Sequence, residues 1–396
     1  MIKRLTSKLF LKKINTFPII SLLGPRQCGK TTLIRSIFPN WKYLDLERPS
    51  DFTPLSEDIE ARIKYLNHQI IFDEAQQLPA LFPVLRSLID EKRELNGQFI
   101  LLGSASPNLI KQISESLAGR TTFIELTPFL YKEVVEHNEK TSIEKLWFQG
   151  GFPNAFLSDD CDLLHDWLES YTRTYIERDL AALGINVSGQ QMRKLWTMLA
   201  HSNCSVWNAS KFAASMGVNY QTINRYAEIL EQTYLVRKLP PYFINIKKRL
   251  IKSPKIIFRD TGLLHYFLGI YNFDQLQSHP IRGASWESFI IEQLIALFNI
   301  YLPNSRFYFW RTSGGAEVDL LVESRGKIIP FEIKLHSAPS KNMIKGLHSC
   351  MSDLKTKNGY IIYPGEDMYS LGQNISVVPA KKILLDKDYL VSLLDD

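Results

Sequence analysis

The sequence predicts an α/β protein of several domains, and three observations predict it. Through the first third, short apolar runs fit for buried strands alternate with stretches of helical spacing, as in a mostly parallel sheet covered on both faces. One such run, Ile19 to Leu23, leads through Gly24-Pro25-Arg26-Gln27-Cys28-Gly29-Lys30-Thr31-Thr32 into a helix. Near the other end, the order helix, three strands, helix, strand sets carboxylates and a lysine on neighbouring elements. At 396 residues the chain has room for more than one core. Its 45% hydrophobic and 22% charged content describes a soluble globular protein.

The N-terminus is basic (Lys3, Arg4, Lys8, Lys12, Lys13) and lacks the continuous apolar core of a secretory signal. Ile2, Leu5, Leu9, Phe10 and Ile14 suit an amphipathic helix, packed on the first domain with a solvated basic face. The stretch from Gly24 to Thr31 then has the G-x-x-x-x-G-K-[ST] form of a phosphate loop. Gly24 and Gly29 allow a tight turn whose backbone N–H groups converge on phosphate oxygens, beside a helix N-terminus that favours anions. Lys30 would reach the β and γ phosphates of ATP, and the Thr31 hydroxyl would hold Mg²⁺. Cys28 reads as a spacer.

Further strands are expected at Tyr43–Leu46, Gln69–Glu74, Phe99–Gly103 and Thr121–Leu126, with a helix over Ser56–Leu66. The third strand of the chain ends in Asp73-Glu74, where Asp73 suits Mg²⁺ and Glu74 suits polarisation of the attacking water. Ser104, just past the next strand, either senses the γ-phosphate or caps the following helix. Arg120 either serves a neighbouring copy's nucleotide as an arginine finger, which implies a homo-oligomer, or sits in a surface ion pair.

Residues 130 to 203 read as helices with a break at Gly150-Gly151-Phe152-Pro153. Asn208 to Gly217 and Tyr220 to Gln232 then form a helix-turn-helix pattern, whose second helix opens with Gln221, Thr222, Asn224 and Arg225. Between Gln232 and Arg259 stand Arg237, Lys238, Lys247, Lys248, Arg249, Lys252, Lys255 and Arg259, uninterrupted by any acid. A winged helix contacting DNA phosphates fits that pattern, and so does a protein-contact module. The net charge of +6 is compatible with DNA as a partner.

In the last third a helix from Ala284 to Phe298 carries Glu287. Strands follow at Phe307–Arg311, Glu317–Val322 and Ile328–Lys334, then a helix over Ser340–Met351 and a strand at Tyr360–Tyr363. Strand alternation puts Glu332 and Lys334 on one face, with Asp319 on the neighbouring strand. With Glu287 from the helix, these carboxylates would bind Mg²⁺ or Mn²⁺ and the lysine would position water for phosphodiester hydrolysis. The plain alternative is a ribbon with charges on its solvated side.

Nowhere does an apolar stretch approach the roughly 18–20 residues of a membrane span, so no membrane partner is expected. Cys28, Cys161, Cys204 and Cys350 are scattered without metal-like spacing or a disulfide framework, which fits a reducing cytoplasm.

Taken whole, the chain resembles bacterial and archaeal AAA-superfamily ATPases with a C-terminal domain of unknown function. The marks are Gly24 to Thr31, Ile71 to Gln76, Leu102 to Ser106, Leu117 to Arg120, Gly150 to Pro153, Ser253 to Lys255, Asp260 to Leu264, Gly315 to Asp319 and Glu332 to Lys334. The resemblance implies ATP binding, a winged-helix segment and a terminal fold similar to restriction endonucleases and junction resolvases. The domain expectation is an AAA-type ATPase over 1–135, a helical lid over 136–203, a winged helix-turn-helix over 204–260 and a nuclease-like α/β domain over 261–396.

Overall fold

The computed structural model describes residues 1–67, 69–104, 107–180, 188–243, 252–372 and 374–395. The side chains of 104, 107, 108, 111, 178 and 179 lie outside that description. The chain divides into two compact units, Met1–Phe129 with Glu228–Tyr234, and Leu130–Ala227 with Leu235–Asp396. The segments expected as lid, winged helix and C-terminal domain thus fall mainly in the second unit.

The first unit is built on five strands: β1 (Ile19–Gly24), β2 (Lys42–Asp45), β3 (Ile70–Asp73), β4 (Phe99–Ser104) and β5 (Thr121–Glu125). They pair all parallel in the order β2-β3-β4-β1-β5. β1 is buried at every residue, as its apolar run requires of a strand covered on both faces. Alternation divides its side chains between two cores. Ile19 and Leu23 join Phe72, Phe99 and Leu101 on one face, while Ile20 and Leu22 join Ile71, Ile100 and Leu102 on the other. The N-terminal helix Thr6–Ile14 buries Phe10 and Ile14 in that second core. The single helix expected over 56–66 is two, Pro49–Glu57 and Ile59–Leu66. Asp58 separates them: extended in backbone, it accepts from the Ala61 amide and caps the second.

In the second unit the helices Tyr131–His137, Ile143–Gln149, Pro153–Phe156, Cys161–Thr174 and Gly189–His201 come first. The helix pair Ala209–Met216 and Tyr220–Gln232 follows, the first closed by Gly217 at φ +67° and the second belonging to the first unit from Glu228 onward. A small antiparallel sheet runs β6-β8-β7, from β6 (Ser205–Val206), β7 (Val236–Leu239) and β8 (Lys255–Phe258).

The last sheet has six strands: β9 (Arg306–Arg311), β10 (Glu317–Ser324), β11 (Lys327–Ile333), β12 (Gly359–Tyr363), β13 (Tyr369–Ser370) and β14 (Ile375–Pro379). Its order is β13-β14-β12-β11-β10-β9, antiparallel at both ends and parallel at β11-β12-β14. β13 and β14 extend the sheet beyond the strands read from the sequence. The long helix Arg282–Tyr301 places Phe298 against Phe331 of β11. The helix Lys345–Leu354 packs Leu347 and Cys350 against Val318, Leu321 and Ile361. The β10–β9 register slips between Val318 and Leu321, so Asp319 stands at an irregularity of the kind that re-aims a side chain.

Candidate functional site

The phosphate loop leaves the carboxyl end of β1, where a parallel sheet offers its crevice. Gln27 and Gly29 both adopt left-handed backbone, at φ 60° and 97°, and Lys30 opens the helix Lys30–Ile37. Such alternation of hand gathers successive N–H groups into an anion-binding concavity. Gly24 is dictated by crowding: a Cβ there would lie 2.3 Å from the Leu126 carbonyl oxygen. The Lys30 ammonium is buried and donates to the Gly24 and Pro25 carbonyls at 3.0 and 2.8 Å. Arg26 reaches Glu47 at 3.4 Å.

One carboxylate joins three elements. Asp73 Oδ2 accepts from the Thr31 hydroxyl and from the Tyr43 phenol, each at 2.6 Å, while its Oδ1 accepts from the Glu74 amide at 3.0 Å. Burial first, and then the Asp73 carboxylate, push the Tyr43 phenol well up, so it remains a donor. Thr31 and Asp73 present hard oxygens side by side and fit Mg²⁺, which is held by one or two protein oxygens together with phosphates and water. β3 ends at Asp73, and Glu74 takes a left-handed φ of 51°, a conformation that costs a non-glycine residue about 1–3 kcal/mol and clusters at functional sites. Its carboxylate accepts from the Gln76 amide.

Two supports escaped the sequence reading. Gln76, which closed one of the stretches carrying the resemblance but was given no role, ties down Glu74. Arg4, expected on a solvated basic face, is instead buried: it donates to the Cys28 carbonyl at 3.0 Å and to the Thr127 and Pro128 carbonyls at 2.5 and 3.2 Å. Three backbone carbonyls draw the guanidinium inward, and it stacks over Phe129 at 5.1 Å. Cys28, within the loop, is fully buried, and burial pushes its thiol up, away from the reactive thiolate.

Ser104 ends β4 opposite Gly24, but its side chain lies outside the described residues. Arg120 engages Asp90 with its Nε at 2.9 Å and its Nη2 at 2.7 Å, the ion-pair alternative of the sequence reading. That guanidinium holds the Asp90 carboxyl below its usual range.

The structure brings Glu287, Asp319, Glu332 and Lys334 to the wall of one cavity of about 290 Å³. Lys255 of β8, expected within a basic run suited to DNA phosphates, lines it too, with a side chain only 1% exposed. Its ammonium lies 2.5 Å from Glu317 Oε1, 2.9 Å from Glu287 Oε1 and 3.5 Å from Asp319 Oδ1. Asp319 Oδ2 accepts from the Ile333 amide at 2.8 Å, Lys334 pairs with Glu332 Oε1 at 2.5 Å, and Arg311 with Glu317 Oε2 at 3.1 Å. Glu332 Oε2 is buried without a hydrogen-bond partner. Burial, and then Asp319, raise Glu287 to about 7 and Glu332 to about 8.

The Mg²⁺ or Mn²⁺ expected on Glu287, Asp319, Glu332 and Lys334 does not fit this arrangement. Among the described residues no group of three His, Cys, Asp or Glu side chains is set to hold a metal. Lys255 supplies the positive charge between the acids instead.

The basic run after Gln232 is likewise partly consumed. Arg237 reaches the buried Glu292 through Nε and Nη2 at 2.5 and 2.9 Å, and Arg259 reaches it at 3.0 Å. Lys247, Lys248 and Arg249 lie outside the described residues. On the second helix of the pair, Gln221 and Arg225 are exposed, whereas the Asn224 carbonyl accepts from the Trp207 indole at 2.8 Å.

Residues 16–135 match the family described as AAA domain. Residues 140–274 match the Domain of unknown function (DUF8612), and residues 282–383 the Domain of unknown function (DUF4143). The uncharacterized proteins Rv2008c of Mycobacterium tuberculosis and Mb2031c of Mycobacterium bovis are each 41% identical over 388 residues, 97% of this chain and 85% of theirs. The uncharacterized protein MJ1544 of Methanocaldococcus jannaschii is 23% identical over 368 residues, 85% of this chain and 79% of that one. Among solved structures, the Walker-type ATPase PABY2304 of Pyrococcus abyssi aligns with a TM-score of 0.46 at 16% identity, over 68% of this chain and 96% of that one. That likeness is loose. Among the described residues no helix is long and apolar enough to cross a membrane.

Proposed function

The chain belongs to the family of the mycobacterial proteins Rv2008c and Mb2031c, with an AAA-type ATPase domain at its head, and on that premise we propose that it hydrolyses Mg-bound ATP to drive a DNA-contacting second unit. One observation carries the ATPase reading: the Thr31 hydroxyl and the Asp73 carboxylate meet at 2.6 Å beside the Lys30 loop. Thr31 and Asp73 would hold Mg²⁺, whose charge would offset that developing on the phosphates. Residues 24 to 32 would cradle the phosphates, through backbone N–H groups at every position but Pro25, and the Lys30 ammonium would turn from its loop carbonyls to them. Glu74, held by Gln76, orients and polarises the attacking water.

Lys30→Ala should abolish ATP turnover while leaving the circular dichroism spectrum unchanged; undiminished turnover would sink the assignment. Glu74→Gln should still bind ATP yet hydrolyse it at least about a hundredfold more slowly, in line with loss of a general base. An oligomer in which Arg120 serves a neighbour's nucleotide requires release from Asp90, and Arg120→Ala would then lower turnover without weakening ATP binding.

For the second unit we read the helix pair with its small sheet as a winged helix-turn-helix, and residues 261–396 as a nuclease-like module that binds without cutting. Gln221, Arg225 and Lys252 are exposed there. Strand scission is the second reading, but Lys255 stands where its metal would be needed. DNA affinity that falls steeply with salt, with no cleavage in Mg²⁺ or Mn²⁺, is the expected result. Cleavage abolished by Asp319→Ala would reinstate the nuclease, and absence of salt-sensitive affinity would point to a protein partner.

A further inference from the structure

The pocket of the second unit holds four carboxylates, Glu287, Glu317, Asp319 and Glu332, against three cations, Lys255, Lys334 and Arg311. An ammonium has three protons to donate, and Lys255 meets three carboxylates from two elements, one on the long helix and two on β10. This is the coordination role of a bound cation, taken by a side chain. The aliphatic stem is enclosed, and the charge lies 5.6 Å from the centre of the Phe309 ring. Such a group cannot leave without uncovering Glu287 and Asp319, while Glu317 would keep only Arg311. Glu332 lines the same cavity, and its buried Oε2 has no hydrogen-bond partner, so one carboxyl oxygen there is left unsatisfied by the protein.

We propose that Lys255 is the resident cation of this pocket, excluding divalent metal from Glu287, Asp319 and Glu332 in the native protein and leaving a latent metal site beneath it. The inference does not depend on whether the second unit meets DNA, nor on the phosphate loop. Lys255 is delivered by β8, which pairs on both sides with β6 and β7. A displacement of that small sheet is therefore the movement that would free the acids, and a partner gripping the helix pair, which lies between β6 and β7 in the chain, would pull on the two strands that flank β8.

The test is Mn²⁺ binding by full-length protein without nucleotide, read by electron paramagnetic resonance. An Asp73→Asn background removes the carboxylate of the phosphate-loop site. Wild-type Lys255 should show no site that depends on Asp319 at millimolar Mn²⁺. Lys255→Met should gain one site, bound about tenfold or more tightly than any wild-type binding, as expected when a carboxylate cage loses its competing charge, and lost again with Asp319→Asn. Mn²⁺ should raise the melting temperature of Lys255→Met and not that of the parent. An Asp319-dependent site in the parent would overturn the proposal, as would a folded Lys255→Met without one. Should Lys255→Met fail to fold, the parent titration against Asp319→Asn decides alone: an absent site supports the resident lysine, and a present one overturns it.

Discussion

Arg4 shows what a single side chain does at the first site. Its guanidinium links the carbonyl of Cys28, inside the loop, to those of Thr127 and Pro128, beyond β5. The loop thus rests on the segment that also forbids a Cβ on Gly24. Hydrogen bonds from a charged donor contribute about 1.5–3 kcal/mol each at most, and here they fix a binding loop rather than a distant core. Arg4→Met should therefore weaken ATP affinity by about tenfold, with a smaller proportional change in turnover at saturation. Equilibrium binding of a fluorescent ATP analogue beside steady-state kinetics checks it; a lower melting temperature with unchanged affinity would show a purely structural role. Arg4→Lys, which keeps charge but loses the fork, should recover little.

At the scale of elements, ion pairs decide where strands sit. Glu292 on the long helix receives Arg237 from β7 and Arg259 from just beyond β8, so one buried carboxylate anchors two neighbouring strands. The two arginines hold its carboxyl below the usual range in spite of burial. Removing it takes from both arginines the acid they share, which costs about 3–5 kcal/mol for a buried pair. Glu292→Ala should lower the stability measured by urea unfolding by that amount, whereas Lys252→Ala on the exposed stretch should leave it within about 0.5 kcal/mol. An unchanged stability for Glu292→Ala would mean that the strands are held by packing alone.

Over the whole molecule, charge is expressed in the pH dependence of stability. Glu287 and Glu332 are raised from 4.5 to about 7 and about 8, so the folded state binds protons that the unfolded state has already released. Folding stability must then fall as pH rises from the unfolded value of 4.5 through those folded values. Asp260, raised to about 6 by burial, adds the same trend below that point, while His265, lowered to about 4 from 6.5, opposes it there. Above about pH 6.5 only the pocket acids remain among these groups, and the slope approaches about 1.4 kcal/mol per pH unit for each proton released. Melting temperatures of wild type and Glu332→Gln between about pH 6.5 and 8 test this: the variant should show the shallower decline. Parallel curves would place the pH dependence elsewhere.

The sequence by itself determined the parallel sheet and the phosphate loop, because both depend on local order. Apolar runs must be strands buried on two faces, and Gly24, Gly29, Lys30 and Thr31 must adjoin one another to form a loop and a helix start. Asp73 was legible for the same reason, as the acid that ends an apolar strand. The convergence of Glu287, Asp319, Glu332 and Lys334 was also legible, since alternation and element order predict a shared face. Only the tertiary structure decided what stands among those acids. Lys255, Arg237 and Arg259 read as one basic run suited to DNA phosphates, because a sequence shows charge but not the partner that neutralises it. Arg4 was hidden likewise, its acceptors being backbone carbonyls that no residue type reveals. β13 and β14 were missed because such short strands carry little periodicity, and pairing gives them their form, β14 along β12 and β13 along β14. Adjacency along the chain is written in the sequence; compensation of buried charge across the chain arises only on folding.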